Sequence, residues 1–185
     1  NGEVEPCLAE SVEVSPDGLV YTFQIRQDSV WTGSASPSEN ASWAQNDPVT
    51  AHDFEFALKR LFDPTCFSPF ASDFSIIQGA SQILAGQAGQ EALGVRALDD
   101  YTLEITLEHP DSRLPNLLAS TAAMPCQQAF FLDTKGQYGF SVRYLRTNGP
   151  FRLSLWDNTV IAIRRSTSYA GEPALPLGVN FVLGS

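Results

Sequence analysis

The sequence predicts an α+β fold, or a mixed α/β piece, on three observations. Strand-like runs occur in pairs around turn dipeptides, and they do so three times along the chain. Helical stretches with one apolar stripe lie between those pairs. The regular strand–helix–strand alternation that would signal a doubly wound parallel sheet is missing.

Each element has a local reason. Ser11-Val12-Glu13-Val14 alternates polar and apolar, the period of a half-buried strand. Ser15-Pro16-Asp17-Gly18 follows and carries strong turn chemistry, with proline then Asp-Gly. In Val20–Arg26, Tyr21, Phe23 and Ile25 share one face, so the two runs are expected to form a hairpin. Thr32–Pro48 is crowded with serines, Gly33, Pro37, Asn40 and Asn46 and is expected to be loop. Asn40-Ala41-Ser42 within it fits a glycosylation sequon, which matters only in a eukaryotic secreted protein.

Thr50 opens the strongest helix. Phe54, Ala57, Leu58 and Leu61 recur at i, i+3, i+4 and i+7, and Thr50 with Asp53 resembles a capping box. Lys59 and Arg60 suit its C-terminal end, and Asp63-Pro64 stops it. A second helix is expected over Phe74–Leu84, weakened by Gly79. Val95–Leu98 and Tyr101–Leu107 flank Asp99-Asp100 as a second hairpin with one wet face. Short helices are expected over Leu114–Ala119 and Cys126–Leu132. A third hairpin joins Phe151–Trp156 to Thr159–Arg164 through Asp157-Asn158, and Val179–Leu183 is a last strand.

Composition excludes several function classes. The chain has 185 residues, 43% of them apolar and 17% charged, which suits one globular domain and is too apolar for disorder. Lys and Arg number 11 against 21 Asp and Glu, a net charge of −10. A polyanion such as nucleic acid needs a positive groove, so no nucleic-acid partner is expected. The longest apolar runs, such as Val160–Ile163, are far short of the roughly 20 residues that span a bilayer, so no membrane insertion is expected. The start, Asn-Gly-Glu-Val-Glu-Pro, has neither a basic opening nor an apolar run, which points to a cytosolic protein or a fragment. Cys7, Cys66 and Cys126 are too scattered for a disulfide framework or a zinc cluster. They are expected to be small buried hydrophobes, with one pair still able to bridge.

The search for catalysis and metals is nearly empty. His52 and His109 stand in no nucleophile or metal frame and are expected to be ordinary surface or capping histidines. Gly86, Gly89 and Gly94 fit neither a dinucleotide fingerprint nor a phosphate loop. Asp99-Asp100 is better explained as a turn than as a carboxylate pair. Phe54, Phe56 and Phe62 could line a groove, but packing into the core is the stronger reading. The expectation is no catalytic residue, no metal site and no cofactor.

An ordered set of strings carries a family resemblance. It begins with Leu8-Ala9-Glu10-Ser11, Ser15-Pro16-Asp17-Gly18, Tyr21-Thr22-Phe23-Gln24-Ile25-Arg26 and Trp31. It continues through Pro48-Val49-Thr50-Ala51-His52-Asp53-Phe54, Arg60-Leu61-Phe62-Asp63-Pro64 and Ser68-Pro69-Phe70-Ala71-Ser72. Leu93–Glu104, Asn148-Gly149-Pro150-Phe151 and the Tyr169 region complete it. Together these resemble the extracellular solute-binding proteins, family 5, the oligopeptide and dipeptide binders of ABC transporters.

The resemblance implies a class II periplasmic-binding-protein-like fold in which residues 1–185 are a single partial domain. That domain is the outer subdomain plus part of lobe I, with the second lobe absent. It implies a peptide ligand enclosed between two lobes, docking on ABC permease subunits, a monomer, and a place on the extracellular face of the membrane or in the periplasm. The family's secretion signal and lipid-anchored cysteine are expected outside this sequence, since Cys7 has no apolar segment before it. Phe70 is the one residue carried over as substrate-binding, matching an aromatic that the family's Ser-Pro-Tyr string offers to the peptide; the alternative is that it packs under its turn. Asn148 and Gly149 are expected to shape backbone. Two departures stand out: Thr32–Asp47 is longer than the family's connection and lacks its Asp-Gly, and Ser166-Thr167-Ser168-Tyr169 stands where members read Asn-Pro-x-Tyr. A sensory or interaction domain that kept the fold and lost transport is the rival reading. A hydrolase is disfavoured because no nucleophile frame exists.

Overall fold

The structure is a computed structural model that describes residues 4–33 and 41–184. In chain order its elements are β1 (Ala9–Val14), β2 (Val20–Ile25), β3 (Thr32–Gly33), α1 (Ala51–Leu61), α2 (Ala80–Leu84), β4 (Val95–Asp99) and β5 (Thr102–Thr106). There follow α3 (Leu114–Leu118), α4 (Gln128–Asp133), β6 (Arg146–Thr147), β7 (Phe151–Trp156), β8 (Val160–Arg165) and β9 (Gly178–Val182). They fall into two compact units, one made of Asn1–Arg26 with Thr50–Gln127, the other of Gln27–Val49 with Gln128–Ser185. The mixture of short antiparallel strands and helices is the predicted α+β class.

The first unit is built on an antiparallel sheet of order β1-β2-β5-β4. The predicted first hairpin forms, with Val12 opposite Phe23. Its turn closes as Gly18 N–H donates to Ser15 O, while the Asp17 carboxylate accepts from the Ser15 hydroxyl and Leu19 N–H. Tyr21, Phe23, Ile25, Leu103 and Ile105 are all buried on one face, as the period-2 pattern requires. Helix α1 covers that face with Ala51 and Leu58, both fully buried. Its capping box forms: the Asp53 carboxylate accepts the Thr50 N–H at 2.9 Å. Two further bonds pin α1 to the second hairpin, Ala51 N–H to Asp100 O at 2.7 Å and Ala97 N–H to the Glu55 carboxylate at 2.9 Å.

The predicted helix over Phe74–Leu84 needs correction. Ala71–Phe74 is a 3₁₀ turn, and Ile77 then makes an isolated antiparallel bridge with Leu107. Gln78 N–H donates to Thr106 O, and Gly94 N–H to Gln78 O. Only Ala80–Leu84 is α-helical, because Gly79 stands before it at φ +78°. The apolar spacing was real, but its first half serves a strand-like edge and its second half one helical turn.

The second unit holds a two-stranded β3–β6 pair and an antiparallel sheet of order β7-β8-β9. Asp157 fixes the β7–β8 turn by accepting from the Thr159 hydroxyl and N–H and from Val160 N–H. Thr32 and Gly33, expected in a loop, form β3 instead, since Thr147 and Arg146 lie opposite them. The sequon residue Asn40 lies outside the described residues. Of the cysteines, Cys126 alone is buried; Cys66 is half-buried and Cys7 exposed, and none of the three forms a disulfide. The shared expectation of burial therefore fails for Cys7 and Cys66, which lie outside the core cluster.

Several of the described carboxylates are held below the ordinary range. The Ser15 hydroxyl does this for Asp17, the Thr65 hydroxyl for Asp63, the Tyr101 N–H for Asp99, Arg113 for Asp111 and the Thr159 hydroxyl for Asp157. At Glu55 burial pushes the other way, but Lys59 and the Ala97 N–H outweigh it. A carboxylate depressed in the folded state lends stability above its unfolded pKa and loses it as pH falls through the folded value. The thermal midpoint is therefore expected to decline steadily below about pH 4. A midpoint unchanged down to strongly acid pH, followed by circular dichroism, would contradict this.

Candidate functional site

Beyond α1 the chain makes a pinned turn that exposes two aromatic rings. Asp63 O accepts Cys66 N–H at 2.9 Å, and the Asp63 carboxylate accepts Thr65 N–H at 2.8 Å and its hydroxyl at 2.6 Å. On the far side Ala71 and Phe74 are buried in the core, and Asp73 N–H donates to Phe70 O. Ser68 Oγ accepts Phe70 N–H at 3.3 Å. Between these anchors Phe70 is 47% exposed, so the predicted site residue is neither sunk under its turn nor fully free. Phe67, which the sequence did not single out, is 87% exposed at φ +46°.

Two hollows lie elsewhere in the first unit. An apolar groove of about 480 Å³ runs along the core face of β1, lined by Val12, Phe23, Phe54, Leu103, Leu118 and Met124 among others. It is continuous with the core and presents little polar surface, whereas an extended peptide needs main-chain partners. Phe54 is thus half-buried against both core and groove, while Phe62 is buried outright. A second hollow of about 490 Å³ is bordered by Ser75, Ser81, Glu108, His109, Asp111 and Arg113. Its charges are already engaged: Arg113 pairs with Asp111 at 2.6 Å, and Glu108 accepts Gly79 N–H at 2.8 Å.

The histidines are not brought together with a nucleophile frame. His52 is exposed at the start of α1 with Nε2 3.5 Å from Asp100 Oδ1, and His109 is exposed after β5. Asp99 behaves as the predicted turn former, accepting Tyr101 N–H and the Thr102 hydroxyl. Among the described residues no three His, Cys, Asp or Glu side chains gather as metal ligands. No described helix is long and apolar enough to cross a membrane.

The second unit carries a buried cation, Arg146. It is 4% exposed, and its Nη2 donates to Trp31 O at 3.1 Å and Ala44 O at 2.8 Å. Its guanidinium lies 4.8 Å from the Trp43 ring centre, and Asp47 lies 3.8 Å away. The described part of the long Trp31–Asp47 connection is therefore wrapped around this cation, a role that the residue string did not reveal. Nearby in sequence, Asn148 Nδ2 is buried with no hydrogen-bond partner among the described residues.

The family model for bacterial extracellular solute-binding proteins, family 5 Middle, matches residues 3–183. The dipeptide-binding protein DppE of Bacillus subtilis is 34% identical over 176 residues, covering 95% of this chain and 30% of that protein. The periplasmic oligopeptide-binding protein OppA of Salmonella typhimurium is 34% identical over 171 residues, 91% of this chain and 29% of its own length. Among solved structures, Listeria monocytogenes OppA bound to peptide superposes with a TM-score of 0.85 at 29% identity, over 96% of this chain and 33% of that one. The oligopeptide ABC transporter substrate-binding domain of Bacillus anthracis gives 0.80 at 33% identity, over 90% and 30%. The chain thus spans about a third of the length of these relatives. With a match that runs almost from end to end, the chain belongs to the bacterial extracellular solute-binding proteins of family 5.

Proposed function

We propose that residues 1–185 form part of the first lobe of a two-lobe receptor that delivers oligopeptides to an ABC importer on the outer face of the membrane or in the periplasm. The lobe binds and does no chemistry. Ligand is enclosed when the lobes close about a hinge, a shift between open and closed populations, and the closed form docks on the permease. Phe70 offers its ring as an apolar face beside the bound peptide. The observation that carries this reading is Phe70's half-exposed position on a turn pinned at both ends, in a chain whose relatives are peptide-binding proteins.

The test uses the protein encoded by the whole reading frame that contains this sequence, titrated with short mixed peptides by calorimetry. Truncating a half-exposed contact ring is expected to cost about 1–2 kcal/mol, so Phe70→Ala weakens binding roughly 5- to 30-fold. Phe70→Tyr keeps the flat face and binds within a few-fold of wild type. Unchanged affinity in Phe70→Ala removes Phe70 from the site. The 185-residue piece alone is expected to bind at least about 100-fold more weakly, because half a cleft desolvates little of a ligand. Binding by that piece within about tenfold of the whole protein would overturn the two-lobe reading.

A further inference from the structure

We infer that Phe67 is a second recognition residue of the same site, and that with Phe70 it selects peptides carrying a large apolar or aromatic side chain. The inference rests on the peptide-receptor reading. Phe67 is the most exposed of the phenylalanine and tryptophan side chains described, at 87%. A ring held in water is unfavourable by the whole of its missing burial. Its backbone is also costly: φ +46° is the left-handed region, an outlier for a bulky residue. Two unfavourable features at one position persist where the surroundings hold them, and such positions concentrate at ligand contacts.

The surroundings do hold them. Thr65 and Cys66 are tied back to Asp63 on one side, and Ser68 bonds to Phe70 N–H on the other. Pro69 fixes its own φ and keeps Ser68 extended. The turn therefore resists folding the Phe67 ring back onto the core. Phe67 and Phe70 stand three residues apart on this one support, exposed together. Where main-chain hydrogen bonds supply affinity for an extended peptide, neighbouring side-chain surfaces supply selectivity. A large apolar side chain can cover both rings, whereas a methyl group covers far less of them.

The test uses the whole reading-frame protein and four peptides: Ala-Ala-Ala and the three tripeptides with one Ala replaced by Phe. At least one Phe peptide is expected to bind about 5-fold or more tightly than Ala-Ala-Ala. Phe67→Ala should reduce that preference to below about 2-fold; Phe67→Leu should keep part of it. Phe70→Ala, by contrast, should weaken every peptide. A preference that survives Phe67→Ala overturns the inference and leaves the receptor reading standing. A lower melting temperature in Phe67→Ala with the preference intact also overturns it, since the ring would then be packing within the protein. If the mixed peptides bind but none of these four does, this inference fails alone; if neither set binds, the receptor reading fails and this inference with it.

Discussion

Gly79→Ala is expected to cost the first unit about 2–5 kcal/mol. The residue sits at φ +78°, where an L side chain pays roughly 1–2 kcal/mol. A Cβ there would meet Ala92 O at 2.2 Å and Ala92 C at 3.0 Å, so backbone must move. Overpacking of this kind adds about 1–3 kcal/mol. The shift would spread, because Gly79 N–H bonds Glu108 and the neighbouring Gln78 ties Thr106 to Gly94. Gly79→Asn separates the two causes: asparagine tolerates the left-handed region but still carries a Cβ. Both variants should therefore be strongly destabilised, with asparagine the milder. All three tryptophans, Trp31, Trp43 and Trp156, belong to the second unit, so the loss should appear in urea melts followed by amide exchange of first-unit residues. A loss below about 1 kcal/mol in the alanine variant would refute the account.

Gly79 also shows where sequence reading stops. Its presence in the stripe Phe74–Leu84 signalled a weak helix, but a period-3.6 pattern cannot tell a helix from an edge bridge followed by one helical turn. The deciding facts are non-local: Thr106 and Gly94 supply the partners that pull Gln78 out of helical geometry. Elements whose causes are local were legible to within a residue or two. Thr50 and Asp53 cap α1, Ser15–Gly18 turns the first hairpin, and Asp157 turns the third. The two-residue strand β3 was not, because Thr32 becomes a strand only when Thr147, 115 positions on, lies opposite it. The site divides the same way. Phe70 could be put forward as a contact because its flanking string, Ser68–Ser72, resembles one in the family. Phe67 lies just outside that string, and nothing in the sequence says that its ring stays in water. Cys7 failed the burial expectation because cysteine's average behaviour says little about a segment that runs along the surface beside the groove.

Arg146→Met is expected to have the largest effect of any single change considered, about 3–5 kcal/mol against the second unit. Methionine keeps the packing of the aliphatic stem, so the loss is centred on the guanidinium. What disappears is a buried cation that satisfies Trp31 O and Ala44 O and faces Asp47. Asp47 also accepts Ala44 N–H at 2.7 Å, and Trp31 N–H donates to Asp47 O, so the connection loses its hub rather than one bond. The Trp43 ring, edge-on to Phe130 at 5.0 Å and bonded through Nε1 to Asp133, loses the guanidinium stacked on it. Arg146→Lys keeps the charge but not the planar fork, and should recover less than half of the loss. Because Trp31 and Trp43 are 2% and 5% exposed, unfolding of this region is read directly as a red shift of tryptophan emission. The midpoint of that shift in urea should fall sharply for methionine and partly for lysine. If methionine lies within about 1 kcal/mol of wild type, the connection is held by its own packing and the cation is incidental.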